Sequence, residues 1–208
     1  MHLCGVDDAG RGSMLGPLVI AGVSIKKSRL GRLRKMGVKD SKQLSPKNRE
    51  ELYEKIIEVV DDYHVAKIQP RSIDSSVRRH ALNHLEAKYM ARVVSKLDSD
   101  ISYVDSCDVN PARFGREIAQ ISGNKKIRSY HHADSRFAIV SAASIVAKVS
   151  RDRSISRLQK QYDLGSGYPS DPKTIRFVTQ FYNTHNKLPT FVRQSWKPTM
   201  GILGQSGV

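Results

Sequence analysis

Gly5-Val6-Asp7-Asp8-Ala9-Gly10-Arg11-Gly12 decides how the fold is read. An apolar run starting at Leu3 reaches two adjacent acids and then meets a glycine-rich stretch. That pattern predicts a short strand over Leu3 to Asp7, ended by a loop. Leu18-Val19-Ile20-Ala21-Gly22-Val23-Ser24-Ile25 is a β-branched run and predicts a second strand. Further out, Ser45-Pro46 is a helix opening, a cap followed by Pro at the first helical position. Leu52, Ile56 and Val59 then fall on one helical face. His64 to Ile68 alternates as a third strand, and Leu82, Leu85, Tyr89, Val93 and Leu97 form a long helical stripe. Ile101 to Asp105 and Lys126 to His131 predict strands four and five. Phe137 to about Tyr162 predicts a long helix, and Ile175, Val178 and Tyr182 a last one. The expected class is α/β, a mixed sheet flanked by helices. One domain over 1–208 is expected, with a core of about 1–163 and a C-terminal helical extension of about 164–208.

Thirty-five Lys+Arg against 20 Asp+Glu leave a net charge of +15 over 208 residues. The 39% hydrophobic and 26% charged fractions are those of a globular chain and exclude wholesale disorder. No apolar run approaches the roughly 20 residues that span a bilayer, and no basic amphipathic helix points to a membrane surface. Met1-His2-Leu3-Cys4-Gly5 lacks the features of a signal peptide. Cys4 and Cys107 make neither a metal-site spacing nor a disulfide framework, which predicts two buried free thiols in a reducing cytosol. A cytoplasmic location is therefore expected. The positive surplus attracts polyanions, because neutralised phosphates release condensed counterions. A merely basic, solvated surface is the competing reading of the same number.

The acids carry more information. Asp7 closes the first strand with Asp8 after it, Asp105 closes the fourth, and Asp134 follows the fifth. Strand ends in an open α/β sheet face the crevice where ligands bind. Acids converging there repel one another unless a cation compensates them. Hard divalent ions accept such oxygen ligands, and two ions about 4 Å apart can hold a phosphodiester in line. Against this stands the ordinary use of Asp in turns and caps, as in Asp108-Val109-Asn110-Pro111. Successive strand residues also point to opposite faces, so Asp7 and Asp8 share a site only if the strand breaks between them. Gly10 and Gly12 favour such a break.

Gly10-Arg11-Gly12 lets backbone approach a ligand closely, with N–H groups for phosphate or hydroxyl oxygens; a tight turn is its plainer reading. In the long helix, Ser141, Ser144, Lys148 and Arg151 share one face at spacings of three, four and three. That face suits a phosphate backbone, or is simply solvated.

Taken together, Gly5 to Gly12, Lys39-Asp40-Ser41-Lys42-Gln43-Leu44, Tyr103-Val104-Asp105-Ser106, and His132-Ala133-Asp134 with Val140 through Lys148 resemble type 2 ribonuclease H, ribonuclease HII. Gly165 to Asp171 and Ser195-Trp196-Lys197 look like its archaeal branch. The resemblance runs in order over nearly the whole chain. It implies a ribonuclease-H-like sheet, and an endonuclease hydrolysing the RNA strand of RNA–DNA hybrids. It also implies cutting 5′ of ribonucleotides embedded in duplex DNA, with two Mg²⁺ or Mn²⁺ ions, leaving 3′-hydroxyl and 5′-phosphate. The metal-binding and catalytic acids implied are Asp7, Asp8, Asp105 and Asp134. The Gly10-Arg11-Gly12 backbone would read the 2′-hydroxyl, Tyr168 would stack on the following deoxynucleotide's sugar, and Lys42, Ser144 and Lys148 would contact phosphates.

Two departures accompany the resemblance. The family usually carries Glu where this chain has Asp8, which shortens the reach by roughly 1.5 Å, one carbon–carbon bond, and implies weaker Mg²⁺ activity with more tolerance of Mn²⁺. Residues 201–208, Gly-Ile-Leu-Gly-Gln-Ser-Gly-Val, lack the paired aromatics of a sliding-clamp-binding tail, which weakens the case for a clamp partner. A monomer is expected. His131 and His132, beside Asp134, are read as surface residues in preference to proton carriers. A DNA transposase or junction nuclease built on the same carboxylate logic, and a non-catalytic nucleic-acid binder, remain as alternatives.

Overall fold

The computed structural model describes residues 1–38, 45–123 and 126–204. Five strands form one sheet in the order β3-β2-β1-β4-β5. They are β1 (His2–Ala9), β2 (Leu18–Lys26), β3 (Asp62–Ile68), β4 (Ile101–Asp105) and β5 (Ile127–Tyr130). β2 runs antiparallel to β1, while β4 runs parallel to β1 and β5 parallel to β4. The sheet is therefore mixed, as its alternation with helices predicts. All five expected strands are present, with ends shifted by no more than two residues.

Nine α-helices occur among the described residues. They are α1 (Leu30–Lys35), α2 (Pro46–Val59), α3 (Pro70–Val77), α4 (Leu82–Lys96), α5 (Pro111–Ser122), α6 (Ala133–Arg136), α7 (Ala138–Gln159), α8 (Pro172–His185) and α9 (Lys197–Ile202). The expected cap of α2 is real: the Ser45 hydroxyl accepts from Asn48 N at 3.2 Å, with Pro46 in the first turn. At α5, Asn110 caps in the same way, accepting from Arg113 N at 3.0 Å ahead of Pro111.

The backbone gathers into two compact units. One comprises residues 1–9, 19–66 and 83–150; the other comprises 10–18, 67–82 and 151–208. This differs from the expected extension beginning near 164: the second unit starts at Arg151 and takes in two earlier segments. The first unit's core packs the sheet against α7 through residues such as Val19, Val23, Ile139, Val140 and Val146. Gly5 sets how closely they meet, since a Cβ there would lie 2.3 Å from the Ile139 carbonyl oxygen. The second unit has its own core of Met14, Leu15, Ile155, Leu164, Val178 and Val192. Tyr162 and Phe191 pack on it, their ring centroids 5.2 Å apart.

Neither cysteine is in a disulfide; Cys4 is buried and Cys107 half-buried, so only the first meets the expectation of a buried thiol. Among the described residues no helix is long and apolar enough to cross a membrane.

Candidate active site

Parallel pairing brings three strand ends to one edge of the sheet. Val6 pairs with Val104, so Asp7 and Asp105 come one step later on neighbouring strands. β5 ends at Tyr130, and the chain turns sharply through His132, which is left-handed at φ 52°, into α6. That turn places Asp134 in the first turn of α6. The Asp105 carboxylate accepts from Ala133 N at 2.5 Å, tying the end of β4 to the start of α6.

Asp7 is 5% exposed and Asp134 8%. Burial pushes the Asp7 carboxyl up to about 7, and the negative charges of Asp105 and Asp134 push the same way. A hydrogen bond from the Ser144 side chain and one from Asp8 N, at 2.7 Å, oppose the rise. Asp7 thus feels the charge of two of the three other expected acids.

β1 runs without a break to Ala9, with Asp7 opposite Ala21 and Asp8 opposite Ile20. The expected interruption between the two acids is absent, because regular pairing with β2 continues past them. Asp8 presents its backbone N–H to the Asp7 carboxylate. Among the described residues no group of three or more His, Cys, Asp or Glu side chains forms a ready cage for a metal ion. One oxygen of Asp7 accepts from the Asp8 amide and one of Asp105 from the Ala133 amide. The donor chemistry still fits a hard divalent cation. These are carboxylate oxygens, and burial with the neighbouring acids disfavours the charge of Asp7, a penalty that a bound cation reverses.

The helix face expected to meet phosphate is largely internal. Ser141 is buried and donates to the Val38 carbonyl. Ser144, expected at phosphate, is 1% exposed and its side chain hydrogen-bonds the Asp7 carboxylate. α7 is covered on every side over 138–147, which leaves no solvated face there. Lys148 is half-buried. Lys42 and the rest of Lys39 to Leu44 lie outside the described residues. His131 and His132 are exposed. Asp108 bears out the plainer reading of strand-end acids: Asn110 N, Arg113 and Asn83 hold its carboxylate, lowering it to about 2.

The second unit contains Gly10-Arg11-Gly12 and Tyr168. Gly10 adopts φ 87°, and a Cβ there would lie 2.8 Å from the Arg151 side chain. Gly12 is exposed, and a Cβ there would meet nothing within 4 Å. Arg151 is buried, donates to Ser13 Oγ at 3.1 Å and Ser166 O at 2.8 Å, and lies 4.1 Å from the Tyr168 ring centroid. Tyr168 is half-buried beneath it. Met14 N and Leu15 N both donate to Gly167 O, at 2.7 and 3.1 Å. The glycine loop and the tyrosine loop are therefore stitched together. Sequence reasoning missed Ser13, Asp74 and Arg193, which complete this stitching. The one available signal was Arg193 set between the apolar pair Phe191-Val192 and the Ser195-Trp196-Lys197 motif.

The chain matches the family model Ribonuclease HII over residues 4–199. It is 58% identical over 198 residues to the Ribonuclease HII of Cenarchaeum symbiosum, covering 95% of this chain and 96% of that one. The structure superposes on the ribonuclease H2 of Pyrococcus horikoshii OT3 with a TM-score of 0.92, at 42% identity over 98% of both chains. It also superposes on the RNase HII solved with PCNA from Archaeoglobus fulgidus, with a TM-score of 0.88 at 40% identity over 96% of each chain. A mixed five-stranded sheet flanked by helices, matched this closely, is the ribonuclease-H-like fold. The chain belongs to the ribonuclease HII family. It is a divalent-metal-dependent endoribonuclease of the ribonuclease H type, acting on RNA–DNA hybrids. The transposase and non-catalytic readings fall away with that membership.

Proposed function

We propose that the enzyme hydrolyses the RNA strand of hybrids and also cuts 5′ of single ribonucleotides embedded in duplex DNA, leaving 3′-hydroxyl and 5′-phosphate ends. The observation that carries this reading is the buried Asp7 carboxyl, raised to about 7 with Asp105 and Asp134 pressing on it. Asp7, Asp105 and Asp134 would hold Mg²⁺ or Mn²⁺, two ions in the reacting complex; with β1 unbroken, Asp8 would join them as the fourth acid only because it lies one residue from the open end of the strand, at the same sheet edge. When bound, such ions supply Lewis acidity toward the scissile phosphate and make water a better nucleophile.

The chain's own residues prepare that site. Ser144 orients the Asp7 carboxylate, and the Ala133 amide does the same for Asp105. Asp7 ionises near neutral pH, where a divalent cation competes with its proton. The Gly10-Arg11-Gly12 backbone would donate to the ribose 2′-hydroxyl, a group that DNA lacks. The open space around Gly12 supports this role, since no neighbour within the chain needs glycine there. Tyr168, held against Arg151, would stack on the next sugar, and Lys148 would face phosphate. A cytoplasmic site of action fits these substrates.

Titrating Mg²⁺ against a labelled DNA duplex containing one ribonucleotide tests the reading. The expected result is a single metal-dependent cut on the 5′ side of the ribonucleotide. Cutting of an all-DNA duplex, or binding with no cut at any metal concentration, contradicts it.

A further inference from the structure

Arg193 carries no role in the reading above, yet it is a fully buried guanidinium in the second unit, 0% exposed. A charge in that position is costly unless its donors are used. Nη1 donates to the Arg11 carbonyl at 2.9 Å, and Nε to the Gly16 carbonyl at 3.1 Å. One rigid fork therefore grips both ends of the Arg11–Gly16 loop. The backbone reinforces it: Arg193 N donates to Met14 O at 2.9 Å, and Gly16 N to Phe191 O at 2.8 Å.

Arg193 is itself braced from α3. The buried Asp74 carboxylate accepts from Gln194 N at 3.1 Å, Ser195 N at 2.9 Å and Ser195 Oγ at 2.5 Å. The Trp196 ring lies 5.1 Å from the guanidinium. An acid 120 residues upstream thus shapes the turn that aims Arg193.

The consequence follows from peptide geometry. The Arg11 carbonyl and the Gly12 N–H belong to one planar peptide, and the chain has no cis bonds among its described residues. In a trans peptide these two groups point in opposite directions. A carbonyl held inward on a buried guanidinium forces the Gly12 N–H outward, at a residue that is exposed.

We propose that Arg193, braced by Asp74, is a positioning residue that aims the Gly12 N–H and so sets the discrimination between ribose and deoxyribose. This rests on the proposed reading of Gly10-Arg11-Gly12 as the ribose sensor. A lysine keeps the charge but has no planar fork to span two carbonyls.

The test measures binding in EDTA to two duplexes that differ by one 2′-hydroxyl, for wild type, Arg193→Lys, Asp74→Asn and Gly12→Ala, with melting midpoints taken in parallel. The preference of wild type for the ribonucleotide duplex should fall by about 3–10-fold in Arg193→Lys, the range of one net hydrogen bond. Affinity for the all-DNA duplex should change by less than about 2-fold, the difference from a merely structural role, which would weaken both duplexes alike. Asp74→Asn should lose part of the preference, and that result decides the matter if Arg193→Lys does not fold. Loss of preference in Gly12→Ala with full preference in the two brace variants overturns the proposal and spares the sensor. Full preference in Gly12→Ala, or none in wild type, overturns the sensor and the proposal with it.

Discussion

Asp7 makes folding sensitive to pH in a direction opposite to most carboxylates. Its ordinary value is 3.8 and burial, with Asp105 and Asp134, raises it to about 7. Between these values the unfolded chain has lost the proton and the folded chain keeps it. Stability therefore falls as pH rises through about 4 to 7, and remains at the lower level above that window. Asp7→Asn removes this slope. In metal-free buffer the variant should gain melting temperature over wild type at pH 8, and less at pH 4.5, while hybrid cleavage is abolished. An advantage that shrinks as pH rises contradicts the assignment. At the neighbouring position, Asp8→Glu should raise Mg²⁺-supported cleavage more than Mn²⁺-supported cleavage, because Mg²⁺ demands the stricter geometry. Equal rates for both proteins in both metals count against that view. The approach of Asp7, Asp105 and Asp134 to one another was legible in the sequence because strand ends and turns announce themselves locally. That Ser144 serves Asp7 was not, since a serine on a helix looks the same whether it meets solvent or a carboxylate.

The pairing of β1 with α7 governs how Ser144 reaches Asp7. Gly5 is the point of closest approach, with the Ile139 carbonyl 2.3 Å from where a Cβ would sit. Gly5→Ala should push helix and strand apart and cost about 1–3 kcal/mol, as overpacked cores do. A urea unfolding series reads the stability, and cleavage should drop with it as Ser144 is drawn away from Asp7. An unchanged midpoint rules out the close packing as a constraint. At this scale α2, α4 and α8 were readable because each carries a periodic apolar stripe, and the strands and α7 because each carries an apolar run of its own. α3 was not, since Pro70 to Val77 is short and rich in serine and buries Asp74 and Ser76 beside Ile73. α5 was hidden for another reason: Asn110-Pro111 serves a turn and a helix start equally well until the partner at Arg113 N is known.

Over the whole molecule the surplus of +15 sets how the enzyme meets a polyanion. Each phosphate neutralised adds to the slope of log affinity against log salt. Binding to an RNA–DNA hybrid should weaken by at least about 10-fold between 50 and 200 mM salt, a modest share of the 10³–10⁵ typical of six to ten contacts. An affinity indifferent to salt contradicts electrostatic capture. The sheet and its class were readable from the order of elements alone, whereas the division into two units was not. Residues 10–18 and 67–82 join 151–208 through hydrogen bonds between distant positions, and sequence periodicity reports only local neighbours.

That long-range stitching bears on how the enzyme is made. The segment 10–18 leaves the ribosome early, but its partners at Gly167, Phe191 and Arg193 are synthesised roughly 150 to 180 residues later. Contacts of such high sequence separation form late and slowly. A nascent chain can assemble the acid-bearing sheet while the 10–18 loop is still unheld, so the segment proposed to read ribose is fixed only once residues 167–193 have emerged.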